Sequence, residues 1–339
     1  MTTVLGLILG AGAGVSAPGA VVAAKGPVSA WVSYQQERSL ECFGDPLGRM
    51  ETPEEVSLGG FKYRFEGGRV TVRRETARTG TEVRLGVLSG IKELDDKTKA
   101  NLDRFFERFK KEGVEGVLVG GDNAEDGEHL ADVFTYLAAQ GLPTYVVIGN
   151  WEPRAPFNRA LREASEGHPN LINMQLARRV DAEGFDVVSL GGYHDKQYVR
   201  TTGACLYKPE ELVAVEALLK EADDPVLLLM HGPPHQAGKD ALDFVPEAGN
   251  TGDPAIASLI KDSGGKVAFG VHGHILEAAL KANAEALAAQ GEVVAPSMPG
   301  FGGSPGPGDF DTPYDLVNVC HSVLEQLGGD VTVIGLSSM

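Results

Sequence analysis

Basic side chains are in short supply in this chain. Lys and Arg total 30 against 47 Asp and Glu, a formal charge of −17 over 339 residues. That balance argues against nucleic acid as a main partner, because phosphate backbones are bound by a surplus of Lys and Arg. It argues equally against docking on an anionic membrane surface. Cysteine is scarcer still. Cys42, Cys205 and Cys320 are the only three, and no two are close in sequence. A disulfide framework is excluded, one disulfide at most can form, and a thiolate zinc site is disfavoured. Any metal chemistry falls to the 8 His and the carboxylates.

Charge of either sign is missing from the first 24 residues. The run from Val4 to Ala24 lacks the basic start of a signal peptide, although Val22-Ala23-Ala24 would serve as a cleavage site. Gly6, Gly10, Gly12, Gly14, Pro18 and Gly19 dilute it below what a spanning helix of about 20 apolar residues requires. A dinucleotide-binding reading of residues 10–14 fails, because Pro18 falls where the helix should run. Two readings stay open, a structural leader and an export-related segment. The leader points weakly to export and leaves a cytoplasmic location open. No integral membrane domain is expected.

Apolar residues make up 42%, enough for a sizeable core. Residues 25 to about 80 read as β-rich. Phe61, Tyr63 and Phe65 alternate with charged residues, Glu66-Gly67-Gly68 turns, and Val70 and Val72 alternate again, which is a hairpin pattern. From about residue 82, strand and helix patterns alternate. Strands are expected at Val83–Leu88, Val117–Val119, Thr144–Ile148, Asp186–Leu190, Val226–Met230, Lys266–Val271, Glu292–Val294, Leu316–Val319 and Val331–Ile334. Leu102, Phe105, Phe106 and Phe109 keep helical spacing up to Gly113, as do Leu130, Val133, Phe134 and Leu137 up to Gly141. Further helices are expected near Glu210–Glu221, Pro254–Lys261 and Leu276–Gln290, with a long loop from Met298 to Pro313. This alternation implies an α/β core with helices covering sheet faces.

Polar residues gather just after five of these strands: Ser89-Gly90-Ile91-Lys92, Gly121-Asp122-Asn123, Gly149-Asn150-Trp151-Glu152, His231-Gly232-Pro233-Pro234 and His272-Gly273-His274. Sites in α/β sheets form at the carboxyl ends of strands. Taken singly, each is explained as well by a turn, an N-cap or a structural His. Their order and spacing make the set more specific. The stretches VLSGIKEL, VGGDNAED, VIGNWEP, LMHGPPH and VHGHILEA resemble, from about residue 83 to 278, the motifs of a calcineurin-like metallophosphoesterase. The family pattern is Asp-x-His, Gly-Asp-x-x-Asp, Gly-Asn-His-Glu, an isolated His, and Gly-His-x-His. The resemblance implies an α/β fold of two stacked mixed β-sheets flanked by helices, an αββα sandwich with a small β-rich N-terminal segment. The chain then divides into the leader (1–25), a β-rich accessory segment (26–81) and the metallophosphoesterase-like domain (82–339).

The departures from the pattern are informative. Gly90 and Lys92 stand where the family has Asp-x-His, and Trp151 stands where it has the His of Gly-Asn-His-Glu. The last motif aligns in two ways. One takes His272 and His274 as the pair. The other, preferred because the flanking Gly273 and Glu277 then match, keeps His274 and places Leu276 at the second His. On the preferred alignment the ligands private to the first metal are gone. Those of the second metal remain as Asp122, Asn150, His231 and His274. The resemblance thus implies at most one divalent transition metal, Fe, Zn or Mn, and none if the site is empty. Lys92 is a candidate to bind phosphate or to replace part of the missing charge. The alternative is a solvated Lys at a helix start. Trp151 can donate an N–H but cannot transfer a proton at neutral pH. His194, His235 and His272 are candidates for the surrounding pocket, and Asp126 is explained by helix N-capping. Two functions stay open: a pseudoenzyme or scaffold binding a phosphate-containing small molecule or a protein partner, and a weakly active single-metal phosphoesterase. The net charge of −17 weighs against efficient capture of anions unless a local cation focuses them.

Overall fold

The computed structural model describes residues 29–78, 82–124, 126–239, 241, 243–245 and 248–274. The leader, Leu276 and Glu277, Cys320, and the helix, strands and loop expected beyond residue 275 lie outside the described residues. The elements run α1 (Ala30–Glu37), β1 (Arg49–Leu58), β2 (Phe61–Gly67), β3 (Arg69–Arg74), β4 (Leu85–Leu88), α2 (Asp96–Glu112), β5 (Gly116–Val119), α3 (Gly127–Ala138), β6 (Thr144–Val146), α4 (Arg154–Ser165), β7 (Leu171–Asn173), β8 (Arg179–Ala182) and β9 (Phe185–Leu190). They continue with α5 (Pro209–Glu221), β10 (Val226–Met230), β11 (Phe244–Val245), β12 (Gly249–Asn250), α6 (Pro254–Asp262) and β13 (Val267–Val271).

Local chemistry sets the boundaries. Asp95 caps α2 by accepting the Thr98 N–H at 2.6 Å, and Gly113 closes it in a left-handed conformation at φ 67°. Asp126 caps α3 through the N–H groups of Glu128 and His129, and Asp253 caps α6 with Pro254 in its first turn. In the β2–β3 hairpin Phe65 pairs with Val70 and Tyr63 with Val72. All four side chains point into the core, as period-two alternation demands.

Two main sheets result, beside the short β11–β12 ribbon. The larger is mixed, with strand order β1-β2-β3-β8-β9-β10-β13, and the smaller is β4-β5-β6-β7. All three pairings of the smaller sheet are parallel, so only one of these two sheets is mixed. β5 and β6 are buried along their whole length, as parallel strands covered on both faces are. One core lies between the sheets and joins Tyr63, Phe65, Val70 and Val187 of the larger to Leu118 and Tyr145 of the smaller. A second packs Phe106 of α2, Phe134 of α3 and Phe157 of α4 against β5 and β6, and a third packs α5 and α6 against β9 and β10. The order of layers is helix, sheet, sheet, helix.

The segment expected to be accessory is woven into the larger sheet, with β3 pairing in parallel with β8. It also contains α1, which the β-rich reading did not anticipate. Trp31 of α1 stacks on Phe65 at 4.8 Å. Cys42 and Cys205 form a disulfide, with Cα atoms 5.4 Å apart. No helix among the described residues is long and apolar enough to cross a membrane.

Candidate functional site

The five polar stretches all follow strand ends. Those after β4, β5 and β6 belong to the smaller sheet and those after β10 and β13 to the larger, so the cluster straddles the carboxyl edges of both. Ser89 fastens the two sides by sharing its one hydroxyl hydrogen between the carbonyls of Gly121 (3.1 Å) and Gly273 (3.3 Å). The N–H groups of Gly273 and His274 both donate to the carbonyl of His231, at 3.1 and 3.0 Å.

Asp122, Asn150, His231 and His274 are brought together. His231 is fully buried and Asn150 nearly so. The Asn150 amide nitrogen donates to the Tyr198 carbonyl at 2.5 Å, which turns Oδ1 towards the histidines. Oδ1 lies 2.8 Å from His231 Nε2 and 3.3 Å from His274 Nδ1. Asp122 Oδ1 is 3.6 Å from His231 Nε2. Close packing here depends on two glycines. A Cβ on Gly121, which has φ +94°, would sit 2.7 Å from His231 Nδ1, and one on Gly149 would sit 2.1 Å from Asp122 Oδ1.

The donors and acceptors in this cluster do not balance. His231 Nδ1 is 2.8 Å from the Gly120 carbonyl, which can only accept, so Nδ1 carries the hydrogen. In a neutral ring Nε2 then presents a lone pair to Asn150 Oδ1, another acceptor, with the Asp122 carboxylate alongside. An imidazole nitrogen, an amide oxygen and a carboxylate oxygen turned on one another form a donor set for a cation. Among the described residues no group of three or more His, Cys, Asp or Glu could hold a metal ion by those residue types alone. Asn150 Oδ1 adds an amide oxygen to the imidazole and carboxylate beside it. These residues fit a borderline transition metal through nitrogen and oxygen ligands.

Lys92 does not lie free in solvent. Its ammonium is 3.9 Å from Asp122 Oδ2 and 4.4 Å from the centre of the Trp151 ring, with about a quarter of the side chain exposed. Lys92 (φ 66°) and Asp122 (φ 56°) are the only non-glycine residues with positive φ among the described residues. Each accepts a strained backbone, of order 1–3 kcal/mol, that brings the two loops into contact; the Lys92 N–H donates to the Asp122 carbonyl. Trp151 lies under the Lys92 ammonium, and its backbone N–H donates to Asp122 Oδ1 at 3.4 Å.

Of the residues singled out for the pocket, His272 is buried beside the cluster, with Nδ1 lacking a hydrogen-bond partner among the described residues. Burial, reinforced by His231, lowers its pKa to about 4. His274, which does reach Asn150, is lowered by burial and then by His231 to about 2. His194 stacks on Tyr193 at 4.9 Å, and the Tyr193 ring meets His274 at 4.3 Å. His235 is turned to the buried Asp243, with Nδ1 3.2 Å from Oδ2. Asp126 caps α3 and pairs with His129.

The sequence singles out Glu152 as part of the Gly149–Glu152 stretch but assigns it no role. Its carboxylate is fully buried and accepts four N–H groups: Asp122 N (3.2 Å), Asn123 N (2.6 Å), Asn123 Nδ2 (2.8 Å) and Gly149 N. Burial and then the Asp122 charge push its pKa up, against the pull of these donors. Glu152 thus stitches the loop after β5 to the loop after β6. The available signal was an acidic residue two positions after a strand-end Asn, closing the Gly149–Glu152 stretch. Tyr193 and Tyr198 were passed over, because their contacts to the cluster come from a loop with no motif.

No family model matches this chain, and no curated protein matches it. Solved structures similar to it include a dimetal phosphatase from Danio rerio (TM-score 0.44, 15% identity, covering 57% of this chain and 82% of that one). TT1561 of Thermus thermophilus is similar at TM-score 0.40 and 18% identity, over 54% of this chain and 79% of that one. The phosphopantetheinyl hydrolase of Mycobacterium tuberculosis is similar at TM-score 0.36 and 17% identity, over 58% and 84% respectively.

Proposed function

We propose that this chain is a degenerate metallophosphoesterase-like protein that holds one divalent transition metal and binds a phosphate-bearing ligand, as a scaffold rather than an efficient hydrolase. The observation that carries this reading is the meeting of acceptors at His231 Nε2, Asn150 Oδ1 and Asp122 Oδ1. Asp122, Asn150, His231 and His274 would hold the ion, and iron, zinc or manganese suits their donor types. When bound, the ion would supply Lewis acidity to an anionic oxygen.

The protein's own groups do the rest. Among the described residues the nearest carboxylate oxygen to the Lys92 ammonium is 3.9 Å away, beyond hydrogen-bond reach, and the side chain is about a quarter exposed, so its N–H donors can meet phosphate oxygens. In a chain of charge −17 this ammonium is what focuses an anion locally. Trp151 supports it from below through its ring face. Trp151, which stands where the family has its His, keeps its indole proton and cannot act as the acid, and His235 is turned to Asp243. Loss of a general acid costs about 10²–10⁴ in rate, which supports binding over turnover.

Metal analysis of the purified full-length chain tests the site. About one equivalent of Fe, Zn or Mn, lost on Asp122→Asn, is expected. Less than roughly a tenth of an equivalent after loading, unchanged by Asp122→Asn, would refute the metal site. Inorganic phosphate should bind the loaded protein at least tenfold more weakly after Lys92→Ala, since a charge-assisted hydrogen bond contributes about 1.5–3 kcal/mol. Rapid hydrolysis of an aryl phosphate, abolished by His231→Ala, would instead establish the weakly active phosphoesterase.

A further inference from the structure

The loop between β9 and α5 closes on itself. The Tyr193 N–H donates to the Cys205 carbonyl and the Tyr207 N–H to the Tyr193 carbonyl, both at 3.0 Å, and an isolated parallel bridge pairs Tyr193 with Leu206. These contacts make a neck at residues 193 and 205–207, and residues 194–204 form the strap beyond it. The strap reaches the cluster with its backbone. The Tyr198 carbonyl accepts from the Asn150 amide nitrogen at 2.5 Å, and the Arg200 N–H donates to the Asn150 carbonyl at 3.1 Å. The neck reaches it with a side chain, the Tyr193 ring against His274.

Cys205 sits in the neck and is buried. Its disulfide partner, Cys42, belongs to a segment held firmly elsewhere. The Asn158 amide of α4 donates to the carbonyls of Ser39 (3.1 Å) and Glu41 (2.9 Å). The Gln175 amide donates to the Cys42 carbonyl, and the Gly44 N–H donates to the Gln175 carbonyl at 2.7 Å. Gln175 Oε1 in turn accepts the Ile148 N–H at 3.3 Å, at the end of the strand that leads to Asn150. The disulfide therefore clamps the neck of the strap to the frame that carries Asn150.

Asn150 is the residue for which this matters. An amide side chain presents an oxygen or an NH₂ with nearly the same shape, and only its partners decide which. Here the partner is the Tyr198 carbonyl, a backbone atom of the strap. We infer that the Cys42–Cys205 disulfide is a positioning element of the site: it holds the strap so that Asn150 presents Oδ1, and not NH₂, to His231 and His274. Reduction to two thiols frees the neck, lets the strap withdraw and removes the constraint on the amide. The site is then competent under oxidising conditions and weakened under reducing ones. The inference rests on the single-metal reading above for its effect on affinity, but not for its effect on Asn150.

The test compares three forms of the full-length chain: oxidised, reduced in the folded state with a trialkylphosphine, and Cys42→Ser/Cys205→Ser. The phosphine becomes its oxide with water as oxygen source, and it is removed anaerobically before metal is added. Hydrogen exchange is read at the Tyr193, Arg200 and Tyr207 amides, with Val117 and Val119 of β5 as controls for global opening. The side-chain NH₂ protons of Asn150 are followed by NMR, and Mn²⁺ affinity by titration. Both altered forms should exchange these neck and strap amides at least tenfold faster relative to β5 and lose protection of the Asn150 NH₂. Mn²⁺ should bind about 10–100-fold more weakly, the usual cost of losing an outer partner of a ligand. Strap exchange that is unchanged, or that rises only in step with β5, overturns the inference by making the disulfide irrelevant or merely stabilising. Strap loosening with Asn150 still protected and Mn²⁺ affinity within twofold overturns it as well. If the oxidised chain binds no metal, the single-metal reading fails, and the Asn150 protons alone decide this one. The phosphine-reduced form keeps the test valid if the double variant does not fold.

Discussion

Replacing Glu152 by Gln preserves shape and almost preserves volume, yet it should be nearly as damaging as replacement by Ala. Four groups point at the Glu152 carboxylate, and all four are N–H donors: two on Asn123, one on Asp122 and one on Gly149. Two reach Oε1 and two reach Oε2. A Gln can offer only one oxygen, so whichever way its amide turns, an NH₂ faces two donors. Each buried donor left without an acceptor costs about 1–3 kcal/mol, about 2–6 for the two, and relief of the buried charge beside Asp122 offsets part of this, so Glu152→Gln should lose about 3 kcal/mol. Glu152→Ala opens all four donors and should lose about 4 kcal/mol or more, less than simple addition because water can enter the space. Urea unfolding at neutral pH reads both, as a shifted midpoint at constant slope. If Glu152→Gln lies within about 0.5 kcal/mol of the native chain, as an ordinary surface substitution does, the assignment of Glu152 as the common acceptor of two loops is wrong.

Gly149→Ala places a Cβ 2.1 Å from Asp122 Oδ1; Asp122 must move, and metal uptake measured by elemental analysis should fall at least tenfold. At position 92 the backbone is left-handed, so Lys92→Gly should be more stable than Lys92→Ala by about 1 kcal/mol in the same unfolding assay, although both remove the ammonium. His272 gives a signature in acid. Its folded pKa, about 4, lies below the ordinary 6.5, so between those values the unfolded chain binds the extra proton and the folded chain does not. Stability should therefore be fully present above pH 6.5 and fall as pH drops towards 4, by about 3 kcal/mol from this group. His272→Leu should flatten that part of the stability–pH curve; an unaltered slope would show that His272 is not the group concerned.

The parts of this fold that were legible in the sequence are those whose signals are local. Gly113 ends α2, the Tyr63/Phe65 and Val70/Val72 alternation gives the hairpin, and the five polar stretches stand behind strands. What was not legible depends on burial of polar side chains or on distant pairing. In α4, Phe157, Ala160, Leu161 and Ala164 do keep helical spacing, but Asn158 and Ser165 share the buried face and blur the apolar stripe. β7 and the residues after it carry buried Asn173 and Gln175, which break any apolar strand pattern and find their partners in Asn158 and the Ile148 N–H. The placement of the first hairpin in the main sheet is a β3–β8 pairing that no window of residues contains. In the cluster, the residue types were legible from the motif order. The hub role of Glu152 and the grip of the strap on Asn150 were not, because both act through backbone N–H and C=O groups that every residue carries.

The weaving of β3 against β8 also has a cost in time. Arg73 of β3 donates to Asp181 of β8 across 108 residues of chain. A ribosome making about 5–20 residues per second needs on the order of 5 to 20 seconds to deliver that partner. During the interval the smaller sheet, whose strands β4 to β7 are all made in between, can assemble from neighbours in sequence. The three-stranded meander β1-β2-β3 meanwhile waits with its β3 edge unpaired, an invitation to other nascent chains. Arg69, Arg73 and Arg74 line that waiting edge strand, and their mutual repulsion with a second copy of the same strand is the protection the chain carries while it waits.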